Sequence, residues 1–304
     1  MTATPSIVTD IYQGRARVTF RPGPHTYSVR VHNHVDKLWQ PNITGILGLK
    51  AKPQLVGWAA KKSLECVGNK LGQFQSENGE KASVPSQLIQ LWLAEAADNW
   101  NEDSATTIGH VAHSFAYEEL RYRAGLAPHK PKFPIEYNPV LMPNFTPGMV
   151  EAANKSALAV TQFFDEHHFE PLLLERPLWS PVDGFIGTPD FVGYVDGELA
   201  VVDYKTSKRI YAEYWGQLAA LQYMFQMEFP EKVIKKRWAI NIPKDRDFDP
   251  KQDVQTRGLD TFSSDLEMFM ACWALYRWER ENDDYKKGTP VQVLGDLDKL
   301  IARP

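Results

Sequence analysis

Two aspartates and a lysine lie on neighbouring sequence segments that are rich in β-forming residues. The segments, residues 190–195 and 198–205, are separated only by Asp196-Gly197. An Asp-Gly pair in this position is typical of a two-residue β-hairpin turn. The register of such a hairpin places Asp190 opposite Asp203, and Lys205 projects from the same face as Asp203 because side chains alternate along a strand.

This arrangement favours a bound cation. Opposed side chains on paired strands have Cβ atoms about 4.5–5.5 Å apart, where like charges are destabilising. Mg²⁺ prefers oxygen ligands and usually keeps several waters, and it can activate a water and stabilise charge on a phosphoryl oxygen. Lys205 supplies a point charge to orient that water or neutralise an oxyanion. The pattern therefore predicts phosphodiester hydrolysis; the alternative is a structural ion pair, which needs only one carboxylate.

Composition sets the limits for partners and compartment. The 304 residues carry a formal net charge of −4, so a site for a polyanion must be a local patch. Two cysteines are too few for a disulfide framework, which indicates a reducing cytoplasm, in a bacterial cell or a phage-infected host. We expect no secretion signal and no membrane association, since no run approaches the ~20 apolar residues of a membrane span.

Periodicity predicts a mixed α/β protein, with a central sheet flanked by helices. The N-terminal part, residues 1–127, is predicted to hold a β-hairpin and a helical region. A Pro-rich connection over 128–147 separates it from a core over 148–304. Helices are predicted over 55–67, 86–99, 106–124, 148–168, 211–229 and 263–282, strands over 172–179, 190–195, 198–205 and 233–242, and a loop over 68–85.

The Pro189-Asp190 pair, followed after twelve residues by Asp-Tyr-Lys at 203–205, is similar to the active-site signature of the PD-(D/E)XK nuclease superfamily. Three further features resemble its RecB-like exonuclease branch, which includes phage exonucleases and the mitochondrial genome maintenance exonuclease. They are Gly-His-Val-Ala-His at 109–113, Gln217 on the helix after the lysine, and Asn-Ile-Thr-Gly-Ile-Leu at 42–47 followed by Trp58.

The resemblance implies a restriction-endonuclease-like core and assigns roles to individual residues. The metal ligands that it implies are His113, Asp190, Asp203 and Tyr204. The catalytic residues that it implies are Lys205, Asp190, Asp203, Glu175 and Gln217, with Lys205 assisting the attacking water and Glu175 assisting a second metal ion. His110 is a weaker candidate than His113, and Gly109 would leave room for the substrate.

The activity that the resemblance implies is that of a divalent-metal-dependent DNA exonuclease in phage or bacterial DNA recombination, repair or replication. The cofactor would be Mg²⁺ or Mn²⁺, and the nitrogen ligand favours Mn²⁺. No iron–sulfur cluster is expected, because Cys66 and Cys272 cannot supply four ligands. The substrate would be linear DNA with a free end, single-stranded DNA included, and recombination or replication proteins would be partners. The alternatives are a structure-specific endonuclease and a non-catalytic DNA-binding or assembly module.

DNA needs phosphate contacts and surfaces on which bases can stack. Candidate basic patches are Lys50, Lys52, Lys61 and Lys62; Lys205, Lys208 and Arg209; and Lys232, Lys235, Lys236 and Arg237. Candidate stacking residues are Trp58, Tyr211, Tyr214 and Trp215.

Overall fold

The computed structural model describes residues 5–22, 24–32, 37–49, 53–79, 83–98, 104–137 and 145–282. Contacts divide the chain into two compact units: Met1–Leu49 with Val111–Pro304, and Lys50–His110. Helices and β-sheets are both present, which confirms the predicted α/β class. The predicted three-part division at residues 127 and 147 rests on composition rather than on contacts, and stays a prediction.

The chain begins with a small antiparallel sheet in which the strands follow sequence order. Its strands are β1 (Ile7–Ile11), β2 (Ala16–Arg21), β3 (Thr26–Val31) and β4 (Leu38–Gln40). The sequence predicted a hairpin here but not β1, whose largely exposed residues show no clear apolar alternation. A short helix, α1 (Ile43–Leu47), follows, and the Asn42 side chain caps it by accepting from the Gly45 N–H at 2.5 Å.

The second unit is helical. It contains α2 (Pro53–Asn78) and α3 (Ser86–Asp98), and the first residues of α4 (Ser104–Arg123) also belong to it. Phe74 on α2 meets Trp92 on α3 with ring centroids 6.3 Å apart. The predicted loop over 68–85 is wrong for residues 68–78, because this packing favours the helix enough to outweigh the cost of Gly68 and Gly72 within it.

The remaining elements form the larger core of the first unit. In chain order they are α5 (Pro147–Glu166), β5 (Phe169–Leu174), β6 (Leu178–Ser180), β7 (Phe185–Gly187), β8 (Phe191–Val195), β9 (Glu198–Lys205), α6 (Glu213–Glu228), β10 (Lys236–Asn241), α7 (Pro250–Asp253), β11 (Val254–Arg257), a 3₁₀ turn (Leu259–Thr261) and α8 (Phe262–Asn282).

A five-stranded mixed sheet carries this core in the order β11-β10-β9-β8-β5. Strands β9 and β10 are parallel and α6 connects them, as a parallel pair requires. The central strand β9 is buried on both faces. Leu199 and Val201 pack in the cluster that contains residues of α6 and α8, whereas Ala200 and Val202 pack in the cluster that contains residues of α4 and α5.

The predicted strand over 172–179 is two strands in different sheets. Strand β5 joins the five-stranded sheet and β6 pairs with β7. Glu175 between them has a φ of 44°, in the left-handed region, and Pro177 lacks an N–H to continue a ladder. In the described ranges, none of the helices combines the length and the apolarity needed to cross a bilayer.

Candidate active site

The β8–β9 hairpin has the register predicted from the sequence. Its paired residues run from Val195 with Glu198 to Phe191 with Val202. The turn residues Asp196 and Gly197 have φ values of 50° and 82°, as a tight type I′ turn requires. The ladder ends at Phe191, so Asp190 lies one position beyond it, and its side chain rather than its strand pairing links it to β9.

Asp190 is held on both carboxylate oxygens. Its Oδ2 accepts a hydrogen bond from the Tyr204 N–H at 2.6 Å, and its Oδ1 lies 2.9 Å from Nδ1 of His113. Burial opposes ionisation of this carboxyl, yet the charge and hydrogen bond of His113 lower its pKa below the ordinary value. The same pairing raises the pKa of His113 despite burial of the ring. The two groups therefore stabilise each other as a charged pair.

Asp203, Lys205 and Gln217 form a closed triangle beside this pair. Lys205 Nζ forms an ion pair with Asp203 Oδ2 and donates a hydrogen bond to Gln217 Oε1 at 3.0 Å. Gln217 Nε2 then donates to Asp203 Oδ1 at 3.2 Å. Asp203 is only 4% exposed and Gln217 only 8%. Gln217 can bridge the two charged groups because α6 packs on the face of β9 from which Asp203 and Lys205 project.

Burial and charge act in opposite directions on the two charged members of this triangle. Burial raises the pKa of Asp203 in spite of the neighbouring ammonium of Lys205. Burial would lower the pKa of Lys205, but the carboxylate of Asp203 raises it instead. The Lys205 ammonium also lies 4.7 Å from the ring centroid of Tyr214, a cation–π contact that favours the charged form. Lys205 is therefore a cation at neutral pH.

Glu175 projects into the same region from the break between β5 and β6. Its backbone N–H donates to the carbonyl oxygen of Asp190 at 3.2 Å, which ties the left-handed residue to the hairpin. Although the residue stays exposed to the pocket, surrounding protein atoms and the negative charge of Asp190 raise the pKa of its carboxyl to about 7. Glu175 can therefore exchange a proton near neutral pH.

Tyr204 faces away from the triangle. Its phenol packs on the opposite side of β9, with its ring centroid 6.2 Å from both His113 and Phe164. Side-chain alternation along the strand requires this, because Asp203 and Lys205 occupy the other face. The contribution of Tyr204 to the site is its backbone N–H, which positions Asp190.

One cavity of about 310 Å³ brings these groups together. The residues that line it are Ile7, Phe20, His25, Tyr27, Asn42, Ile43, Thr44, His113, Glu175, Pro177, Gly187, Thr188, Asp190, Asp203, Lys205 and Gln217. The Asn-Ile-Thr segment that supported the resemblance thus lies in the cavity. Gly187 is required there, because a Cβ would come within 2.5 Å of the Ile43 side chain.

Three polar residues that line the cavity, His25, Tyr27 and Thr188, were not identified from the sequence. His25 comes from the turn between β2 and β3 and Tyr27 from β3, and Tyr27 Oη lies 3.0 Å from Thr188 Oγ1. Only Thr188 had a sequence signal, since it directly precedes Pro189-Asp190. Nothing in the spacing of His25 and Tyr27 indicated that they would reach a site more than 150 residues away along the chain.

Some predicted DNA-contacting residues lie elsewhere. Arg237 is 1% exposed and pairs with Asp265, and Trp215 is buried in the core, so the predictions that they contact DNA are wrong. Lys236 forms an ion pair with Glu198.

Two candidates near the predicted metal ligand His113, Gly109 and His110, belong to the other compact unit. Lys50 and Lys52, and the side chains of Trp58 and Lys62, lie outside the described residues.

The donors present can be tested against a divalent metal ion. Among the side chains that the structure describes, no group of three or more His, Cys, Asp and Glu is already assembled around one point. The individual donors do suit an oxygen-preferring ion. His113 Nδ1 and Asp190 Oδ1 are 2.9 Å apart in a hydrogen bond, and the imidazole would have to give up that bond and its proton before Nδ1 could bind an ion. Asp203 Oδ2 is buried beside the Lys205 ammonium, its ion-pair partner, and accepts no well-aligned hydrogen bond from the described residues.

Comparisons with known proteins add no family assignment. No protein-family model matches the chain, and no curated protein matches it. The fold and the site together define a mixed α/β protein with a buried carboxylate–lysine–glutamine group in a cavity.

Proposed function

We propose that this chain is a divalent-metal-dependent deoxyribonuclease of the PD-(D/E)XK type, acting as an exonuclease in phage or bacterial DNA recombination, repair or replication. The observation that carries the proposal is the Asp203–Lys205–Gln217 triangle beside the Asp190–His113 pair in one cavity. A structural ion pair would need one carboxylate and one cation. This cavity holds two carboxylates, an imidazole and an ammonium, which are more charged groups than a structural ion pair requires.

The fold supports the narrower description of a restriction-endonuclease-like core. The central sheet is mixed, its parallel pair β9–β10 is connected by α6, and apolar clusters cover both faces. The candidate residues lie at the end of β9 and at the start of β8, close to where β9 leads into α6. Ligand sites of sheets with such crossovers lie at this end of the strands.

Asp190, Asp203 and His113 are the residues that would hold the metal ion. A bound divalent ion would lower the pKa of an attached water and stabilise negative charge on the phosphoryl oxygens. The chain fixes these donors in advance: the Tyr204 N–H orients Asp190, and Gln217 orients Asp203. Such fixed second contacts keep ligands in their binding geometry before substrate arrives.

Lys205 would act as a fixed positive charge and not as a general base. Its raised pKa keeps the ammonium protonated at neutral pH, so it cannot accept a proton from water. A fixed cation can instead stabilise the negative charge that develops on the phosphoryl group, and removal of one such group typically costs about 100- to 1,000-fold in rate. Gln217 and Asp203 hold Nζ in place for this role.

Glu175 is the candidate proton acceptor on the other side of the cavity. Its pKa is about 7 without a bound ion, and a divalent ion held by Asp190 would lower it, so the carboxyl would be ionised and able to accept a proton at neutral pH. Its place at a left-handed break, bonded through its N–H to the Asp190 carbonyl, keeps it next to the aspartates.

The proposal is tested with end-labelled linear single-stranded and double-stranded DNA and with closed circular DNA, each with Mg²⁺ or Mn²⁺. We expect release of nucleotides from linear DNA, with Mn²⁺ at least as effective as Mg²⁺, and no nicking of closed circles. Asp203→Asn should abolish this release. Nicking of circles would instead identify an endonuclease, and binding without cleavage with either metal would identify a non-catalytic module.

A further inference from the structure

A second cavity adjoins the candidate active site. It has a volume of about 330 Å³, and we call it the tryptophan pocket; its lining residues are His25, Thr26, Tyr27, Trp39, Gln40, Pro41, Asn42, Gly45, Tyr276 and Arg280. It shares His25, Tyr27 and Asn42 with the candidate active site. A chain-like substrate that reaches the aspartates can therefore continue into it.

Trp39 gives this pocket a partly exposed aromatic surface. It lies on β4, an edge strand, between the buried residues Leu38 and Gln40, and 37% of it is exposed. The guanidinium of Arg21 lies 5.2 Å from the centroid of its ring, and the ammonium of Lys37 lies 5.0 Å from it. A partly exposed indole with two cations over its ring combines an aromatic face with positive charge, which suits a ligand that has a flat ring and a negative charge.

The opposite side of the pocket comes from α8. The guanidinium of Arg280 lies 5.0 Å from the centroid of the Tyr276 ring, and Tyr276 stacks on the buried Trp273 with ring centroids 5.8 Å apart. These contacts fix Arg280 at the pocket. No carboxylate is among the residues that line the pocket, whereas three line the adjoining candidate active site. The two cavities thus differ in charge: one holds the acidic groups, and the other is cationic and aromatic.

We propose that the tryptophan pocket binds one unpaired nucleotide of the substrate strand next to the scissile phosphodiester. The base would take the place of Arg21 or Lys37 over the Trp39 ring, and the displaced cation and Arg280 would contact the adjoining phosphates. Its volume lies at the low end of the range for small-ligand pockets, about 300–1,000 Å³. The position relative to the bond that is cut rests on the proposed nuclease function; the binding of an unpaired base does not.

Stacking of a base on Trp39 requires that the bound segment of the substrate is single-stranded. Bases in a duplex are paired and stacked on each other, so none can lie on Trp39 without being unpaired first. Stacking on an aromatic residue accepts every base, because each has a π-face, and binding through phosphates depends strongly on salt. The pocket is therefore expected to favour single-stranded ends with little sequence preference.

The direct test is binding without cleavage. Fluorescence anisotropy with a labelled oligothymidylate of about 12 nucleotides, a length within the usual site sizes for single strands, is measured in EDTA. Trp39→Leu is expected to weaken binding about tenfold, while Trp39→Phe, which keeps a π-face, retains most of the affinity. Trp278→Leu is the matched control, because Trp278 is 60% exposed and lines neither cavity.

A blunt-ended duplex competitor completes the test, and its binding should not change in Trp39→Leu. Equal oligothymidylate affinity for Trp39→Leu, Trp278→Leu and the unaltered protein would overturn the pocket assignment, even if DNA is cleaved. Weaker binding in Trp39→Leu and Trp39→Phe alike would also overturn it, because the loss would then not follow the aromatic ring. If binding depends on the aromatic ring but no DNA is cleaved with Mg²⁺ or Mn²⁺, the pocket stands and the nuclease proposal fails.

Discussion

The backbone N–H of Tyr204 donates a hydrogen bond to Asp190 Oδ2 at 2.6 Å. Tyr204 stands between Asp203 and Lys205 in the chain, so this bond couples the first aspartate directly to the strand that carries the other two groups. Asp190 therefore has a structural role as well as a proposed role in binding metal, and the two roles can be separated by substitution.

Asp190→Asn and Asp190→Ala should differ in stability but not in activity. Asparagine keeps an oxygen for the Tyr204 N–H, whereas alanine leaves that donor without its partner, which costs about 1–3 kcal/mol. We expect both variants to lose DNA cleavage, and urea unfolding to show the alanine variant less stable by about that amount. Equal free energies of unfolding would mean that the hydrogen bond does not contribute.

Lys205→Met should reduce cleavage of linear DNA by about 100-fold or more, because the fixed positive charge is lost while the size of the side chain is nearly kept. Lys251→Met is the control, since Lys251 is exposed, lies outside the cavity and belongs to none of the candidate basic patches. The measurement is the initial rate of nucleotide release with Mn²⁺. Similar rates for both variants would exclude Lys205 from the reaction.

Gln217→Ala tests a positioning residue. The side chain of Gln217 bonds both Lys205 and Asp203, so its loss leaves both groups present but less well fixed. We expect kcat to fall about tenfold with little change in KM, in keeping with a small misplacement of catalytic groups. A change confined to KM would instead indicate that Gln217 contacts the substrate.

Asp253 provides a pH-dependent test of stability away from the site. Burial opposes its ionisation, but Arg246, the Asp249 N–H and Asn241 lower the pKa of its carboxyl. Its contribution is therefore present above the unfolded pKa of about 3.9 and lost as pH falls through the folded value.

Asp253→Asn should consequently lower the free energy of unfolding by about 1–3 kcal/mol at pH 7. The difference between the variant and the unaltered protein should shrink as the pH falls from about 4 through the lowered folded pKa, because the carboxyl then becomes protonated in the folded state as well. Urea unfolding at several pH values measures this. Asp247→Asn, at a neighbouring exposed position, should have no comparable effect at any pH.

Gly193→Ala and Gly68→Ala should change stability in opposite directions. A Cβ at Gly193 would overlap the Glu170 carbonyl oxygen and come within 2.7 Å of the Phe191 ring, whereas a Cβ at Gly68 meets nothing within 4 Å. We expect the first substitution to lower the melting temperature. The second, within helix α2, should raise it, since alanine favours a helix over glycine by about 0.5–1 kcal/mol. A neutral Gly193→Ala would show that β5 can move away from β8.

The parts of the site that could be predicted are those set by local rules. The Asp196-Gly197 turn fixed the register of the hairpin, and strand alternation placed Asp203 and Lys205 on one face. Gln217 was identified by the resemblance, from its place on the helix that follows the lysine. These features depend on residues within about 30 positions of one another, where turn chemistry and periodicity act.

The parts that could not be predicted depend on contacts between distant segments. His25 and Tyr27 reach the cavity only because the N-terminal sheet packs with the β6–β7 hairpin, in a cluster that includes Trp179 and Ile186. The left-handed conformation of Glu175 likewise had no signal in the sequence, since glutamate rarely adopts it and only the surrounding structure holds it there. Periodicity also gave no indication that Arg237 would be buried against Asp265.

The two-residue turn between β8 and β9 has a consequence for how such a chain can diverge. Suppose that one residue is inserted into this turn while β8 keeps its pairing with β5. Strand β9 would then shift by one residue against β8, and its two faces would be exchanged. Tyr204 would then face Gln217, and Asp203 and Lys205 would enter the aromatic cluster around Phe164. Homologous chains that keep the site should therefore differ in the length of this turn by even numbers of residues, unless a β-bulge restores the phase.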